Sequence, residues 1–62
     1  MAAFVAVDKD GDECIFSCAP HRLIDYWDTD FEKIYLSKGS IEKLIGRTLE
    51  WSNNPVELKD HN

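Results

Sequence analysis

Three glycines, two prolines and two cysteines are few for a chain of 62 residues, and each scarcity excludes something. Two cysteines cannot build the dense disulfide framework that holds many small secreted domains. Three glycines leave no room for a phosphate-cradling glycine-rich loop. No apolar run approaches the ~18 residues of a membrane span, and "MAAFVAVD" lacks the basic start and apolar core of a signal peptide. Positive charge is also scarce: seven Lys and Arg stand against twelve Asp and Glu, for a net charge of −5. Direct nucleic-acid binding needs a basic stripe to displace counterions, so it is not expected. The expected setting is the cytoplasm, where thiols stay reduced.

What is present is ordinary globular material, 44% hydrophobic and 31% charged. Chains this short bury only about 60% of their unfolded surface. A single mini-domain over residues 1–62 is expected, with 59–62 a frayed polar tail.

The opening segment "VAVDKDGDECIF" poses the first choice, between a calcium loop and a hairpin. Counted from Asp8, an EF-hand would have oxygen ligands at Asp10 and Asp12, but glycine is required where Glu13 stands. The bidentate acid is required where Ala19 stands, and neither flank has a helical pattern. A hairpin fits better. Asp8, Asp10 and Gly11 match the first, third and fourth positions of a type I turn, with Gly11 left-handed in a G1 bulge. That register sets Phe4 opposite Phe16, Val5 opposite Ile15 and Ala6 opposite Cys14. The rival Asp10-Gly11 two-residue turn would oppose Asp8 to Glu13, a like-charge pair. The turn aspartates are then expected to be solvated.

Strands are thus expected at 3–7 and 13–17. Pro20 makes 18–25 an irregular crossing. "KIYLS", 33–37, has Ile34 and Leu36 on one face, and Tyr26-Trp27 is read as the start of its pairing strand across "DTDFE". Residues 37–46 carry the one helix, capped by Ser37 or Ser40. Its stripe is Ile41, Leu44 and Ile45, and Gly46 ends it. "RTLEW" and "VEL" read as two further strands. The fold class is α+β: a small twisted antiparallel sheet of four or five short strands with one short helix packed on one face, in the order β-β-β-α-β-β. The expected core is Val5, Val7, Ile15, Phe16, Leu36, Ile41, Leu44, Ile45, Leu49, Trp51 and Val56.

Candidate chemistry is thin. Cys14, Cys18 and His21 form C-x3-C-x2-H, an incomplete zinc set whose fourth ligand would have to come from the tail or an acid. Cys14 lies mid-strand, where a buried structural thiol is the commoner outcome. Cys18 and His21 lack the oxyanion loop and cleft that nucleophilic catalysis needs, so no enzyme and no cofactor are expected. The acidic run interleaves Asp25, Asp28, Asp30 and Glu32 with Tyr26, Trp27 and Phe31. Its plain reading is a solvated loop. Its sharper reading is an interaction surface at Tyr26, Trp27, Asp28, Asp30 and Glu32, with Trp27 at the core's edge or exposed as an anchor.

The order "VAVDKDG", "IF", "YWD" and then "IYLSKGSIEKLIGRTLEWSNNPVEL" resembles small uncharacterised proteins of gut-type bacteria and their phages. In these a "KGSIEKLIG" helix precedes an L-x-W-x-x-x-P-V-E ending. The resemblance spans residues 4–58 and implies a setting, bacterial and prophage-borne, with no activity attached. Cys14, Cys18 and His21 are not part of that pattern. The expected function is non-enzymatic protein–protein contact as an accessory factor. Two alternatives stand beside it: an acidic nucleic-acid mimic that inhibits a host protein, and a small zinc-stabilised module. An unknown protein partner is expected, no membrane, and a homodimer through an edge strand is left open.

Overall fold

The computed structural model describes residues 3–58. Seven elements follow in order: β1 (Ala3–Val7), β2 (Glu13–Phe16), β3 (His21–Arg22), β4 (Trp27–Asp28), β5 (Lys33–Leu36), α1 (Ser40–Ile45) and β6 (Val56–Leu58). Four of the strands form one antiparallel sheet in the order β5-β2-β1-β6, and β3 and β4 form a separate two-stranded ribbon. The result is the α+β fold that the sequence pattern implies. No helix among the described residues is long and apolar enough to cross a membrane.

The first hairpin has the register set by the three-residue turn: Phe4 faces Phe16, Val5 faces Ile15 and Ala6 faces Cys14. The Gly11 amide donates to the Asp8 carbonyl at 2.9 Å, and Asp8 N–H donates to the Asp12 carbonyl at 2.9 Å. Gly11 has φ +94°, the left-handed conformation that a G1 bulge demands.

Strand alternation then divides the apolar residues between the two faces. On one face Val5 and Val7 pack with Ile41 and Leu49, supported by Ile15, Leu36, Ile45, Val56 and Leu58. On the other, Ala6, Cys14 and Phe16 pack with Trp27, supported by Phe4 and Trp51. The molecule is therefore layered, with α1 against one face of the sheet and the tryptophans against the other.

Several expectations are corrected. Trp27-Asp28 does not pair with the 33–37 strand. It pairs with His21-Arg22, inside the segment read as an irregular crossing, while β5 takes the free edge of β2. The turn joining β3 to β4, Leu23 to Tyr26, contains neither glycine nor proline, and Asp25 alone is a weak turn signal. It is closed by a Leu23 N–H bond to the Tyr26 carbonyl at 2.9 Å.

"RTLEW" is not a strand. Its alternation is real, but it sends Leu49 into one apolar cluster and Trp51 to the other. The chain turns at once, because Asn53 Oδ1 accepts from Glu50 N–H at 2.8 Å and Asn53 N–H donates to the Glu50 carbonyl at 2.9 Å.

The helix keeps its Gly46 ending, at φ +78°, but not its serine cap. Gly39 occupies the cap position at φ +91° with no side chain to offer, and Glu13 reaches across from β2 instead. Its two carboxylate oxygens accept from Gly39 N–H and Ile41 N–H, each at 2.8 Å. Ser40 bonds back to the Ser37 carbonyl. Leu44, expected in the core, is 52% exposed. In a helix of six residues only Ile41 and Ile45, one turn apart, join the apolar cluster under α1. The frayed-tail expectation for 59–62 lies outside the described residues.

Candidate interaction surface

The two tryptophans exchange the roles expected for them. Trp27 is buried, 4% exposed, and Trp51 is only partly buried. What draws Trp27 inward is Asp8, which is not a solvated turn residue but a buried one. Asp8 Oδ1 accepts from Trp27 N–H at 2.9 Å, and the indole Nε1–H donates to the Val7 carbonyl at 2.9 Å. Lys9 N–H donates to the Asp25 carbonyl at 3.0 Å, so the β3–β4 ribbon is tied to the end of β1 at three successive residues.

Asp8 also orders the charge beneath the ribbon. Its Oδ2 accepts from Lys33 Nζ at 3.2 Å and from the Cys14 thiol at 3.6 Å. Lys33 Nζ donates in addition to the Trp27 carbonyl at 3.0 Å, and lies within 6 Å of the ring centroids of Phe16, Tyr26 and Tyr35. Burial works against the Lys33 ammonium, but the Asp8 hydrogen bond and charge outweigh it, and its pKa rises above the ordinary lysine value. Burial pushes the Cys14 thiol up to about 12, and the neighbouring Asp8 carboxylate adds to the rise. Cys14 is thus a neutral hydrogen-bond donor and a poor nucleophile.

Arg22 fastens the ribbon on its other side. Its guanidinium lies 4.4 Å from the Trp27 ring centroid and 4.5 Å from that of Trp51. The two rings meet edge to face at 5.7 Å. Nη1 donates to the Trp51 carbonyl at 2.6 Å and Nη2 to the Asn53 carbonyl at 3.2 Å. One side chain therefore joins β3, β4 and the 51–53 turn.

Held at its base in this way, the ribbon presents apolar side chains outward. Leu23 is 42% exposed, Ile24 89%, Tyr26 42% and Phe31 67%. Leu23, Ile24 and Tyr26 line a shallow open depression with Arg22 and Asp25. Asp25, Asp28, Asp30 and Glu32 are exposed around them. Of the anchors expected from the sequence, Tyr26, Asp28, Asp30 and Glu32 are at the surface, whereas burial withdraws Trp27 from direct contact. Leu23 and Ile24 are not among those anchors. Their signal was an apolar pair in a segment with no strand or helix period.

The thiols and His21 do not converge. Cys14 is buried on Asp8, Cys18 is half-buried and His21 is exposed on β3. Among the described residues the group whose ligand atoms lie within 4.8 Å of one another is Asp8, Asp10 and Asp12, and Asp8 is already engaged by Lys33. A depression of about 690 Å³ lies on the helix face over Val7, Ile41 and Leu49. Its rim mixes Lys9, Lys38, Glu42 and Glu50, and no buried side-chain polar atom among the described residues lacks a partner there or elsewhere. No protein family, curated protein or solved structure matches the chain.

Proposed function

We propose that this protein is a non-catalytic binding module that recognises a partner protein through the β3–β4 ribbon and the loop that follows it. The observation that carries the reading is the exposure of Leu23, Ile24, Tyr26 and Phe31 within a nine-residue stretch whose base is rigidly fastened. A preorganised apolar tip loses little freedom on binding, and the surrounding Asp25, Asp28, Asp30 and Glu32 select a partner with an apolar pocket rimmed by basic groups. Two unpaired cysteines suit a reducing cytoplasm, and the resemblance to bacterial and phage proteins suits a prophage-borne accessory factor.

A second reading, an acidic mimic of nucleic acid, is favoured by the four exposed carboxylates alone. Capture from a lysate of the source organism, washed at rising salt, separates the two. Burying an isoleucine side chain is worth about 2 kcal/mol, so Ile24→Asp is expected to weaken capture about thirtyfold in the first reading. In the mimic reading, Asp28→Asn with Asp30→Asn abolishes capture and high salt elutes the partner. Unchanged capture by both variants would remove the ribbon from consideration.

A further inference from the structure

We propose that the free edge of β5 pairs with β5 of a second copy, in one defined register, to join two four-stranded sheets into one of eight. Ser17 N–H donates to the Glu32 carbonyl at 3.3 Å, so that pair is of the hydrogen-bonded kind in the β2–β5 ladder. Antiparallel ladders alternate, so Ile34 and Leu36 also turn their backbone groups toward β2. Lys33 and Tyr35 turn theirs away, and among the described residues β5 has no neighbour on that side.

Edge strands are commonly guarded by a lysine that keeps other strands off. The lysine of β5 does not serve that purpose, because its ammonium is folded back onto Asp8 and the Trp27 carbonyl. Beside the open amides stand Ile34, 57% exposed, and Tyr35, 62% exposed. These side chains leave an apolar, hydrogen-bond-ready edge on an acidic protein.

The strand is complementary to itself in one register. A two-fold axis normal to the sheet keeps each face on its own side, so it passes through Ile34 or through Tyr35. Through Ile34, Lys33 exchanges both backbone bonds with Tyr35 of the second copy, and Tyr35 with its Lys33. All four bonds use groups that β2 leaves free. The two Ile34 side chains then meet at the axis. Followed outward along the chain, the same register brings Asp30 toward Lys38 of the second copy, a pairing of opposite exposed charges made twice. Through Tyr35, the outer bonds would need the Ser37 carbonyl, which already accepts from Ser40 N–H at 3.1 Å and Ser40 Oγ at 2.7 Å. The Ile34 register is therefore preferred. A four-residue strand gives a small interface, so the dimer belongs to the weak class that forms at high protein concentration.

The test is disulfide trapping in the full chain carrying Cys18→Ser. Ile34 at the axis is a non-hydrogen-bonded pair, whose α-carbons stand about 4.5 Å apart, within disulfide range. Ile34→Cys is expected to give a covalent dimer under glutathione oxidation at least tenfold faster than Glu57→Cys, a control on the opposite edge strand. Adding Tyr35→Pro removes an outward amide and is expected to return the rate to the control value. Should that variant fail to fold, as judged by near-ultraviolet circular dichroism, Asp30→Lys supplies the second arm by placing like charges opposite Lys38, and is expected to slow trapping. Equal trapping at positions 34 and 57, or trapping indifferent to the second-arm substitution, would overturn the proposal. So would a wild-type chain that sediments as a monomer at millimolar concentration.

Discussion

Asp8 and Trp27, nineteen residues apart, are joined by a 2.9 Å hydrogen bond from the Trp27 amide to a carboxylate oxygen buried at the turn of the first hairpin. The other oxygen of the same carboxylate holds Lys33 of β5. One short acid thus ties the end of β1 to the ribbon that carries the proposed binding tip and to the edge strand that carries the proposed dimer contact.

Replacing Asp8 by Asn keeps an acceptor for the Trp27 amide but leaves the Lys33 ammonium without its counter-charge. Breaking a fully buried pair costs ~3–5 kcal/mol, and Lys33 retains some contact with solvent, so a loss of about 2–3 kcal/mol is expected. Urea unfolding followed by tryptophan fluorescence reads this directly. A loss below about 0.5 kcal/mol would place Asp8 among ordinary surface acids.

Alkali is expected to destabilise the fold. The Cys14 thiol has a native pKa of about 12 against ~8.5 for an unfolded cysteine, so between those values the unfolded chain releases a proton that the native chain keeps. Stability then falls with rising pH, at up to about 1.4 kcal/mol per pH unit. Lys33 acts in the same direction. Its pKa is raised on folding, so its contribution is complete below the unfolded lysine value near ~10.4 and is lost as pH rises through the native one. Denaturant titrations from neutral pH upward are expected to show the decline, and Cys14→Ala is expected to flatten its first part.

The helix depends on a cap donated from a distant strand. Glu13→Ala removes both acceptors at the start of α1 and is expected to cost about 1–2 kcal/mol, in the range of a lost helix cap. Glu13→Gln retains one acceptor oxygen and is expected to cost roughly half as much. Equal losses for the two variants in urea unfolding would argue that packing of the side chain, not capping, is what matters.

Arg22 is expected to tolerate no basic substitute. A lysine lacks the planar fork that lies against two indoles while donating to two carbonyls. Arg22→Lys is expected to cost about 1 kcal/mol and to alter the near-ultraviolet circular dichroism of the Trp27–Trp51 pair. An unaltered spectrum would mean that the rings keep their packing without the guanidinium.

Short-range signals account for what was legible in the chain. The "DKDGD" turn chemistry dictated the hairpin and its register, because the three-residue turn gives Gly11 its left-handed position without setting Asp8 opposite Glu13. The Ile41 and Ile45 spacing and Gly46 announced a short helix and its end. The β-branched runs announced β1, β2, β5 and β6. Where local pattern met a choice of partner, it failed. Alternation in "RTLEW" is equally compatible with a strand and with a segment that feeds two faces of a sheet. Asp8 reads as a solvated turn acid because the residues that bury it, Trp27 and Lys33, are brought to it only by the fold.

The sequence by itself determined the class, the first hairpin, the helix end and the acidic character, since each rests on a few consecutive residues and their intrinsic backbone preferences. Tertiary structure alone decided which tryptophan is buried, which strand β4 pairs with, what caps the helix and which side chains stand exposed at the ribbon tip. Those outcomes turn on hydrogen bonds between residues far apart in the chain. Their strength depends on burial, and burial is a property of the assembled layers, not of any local stretch.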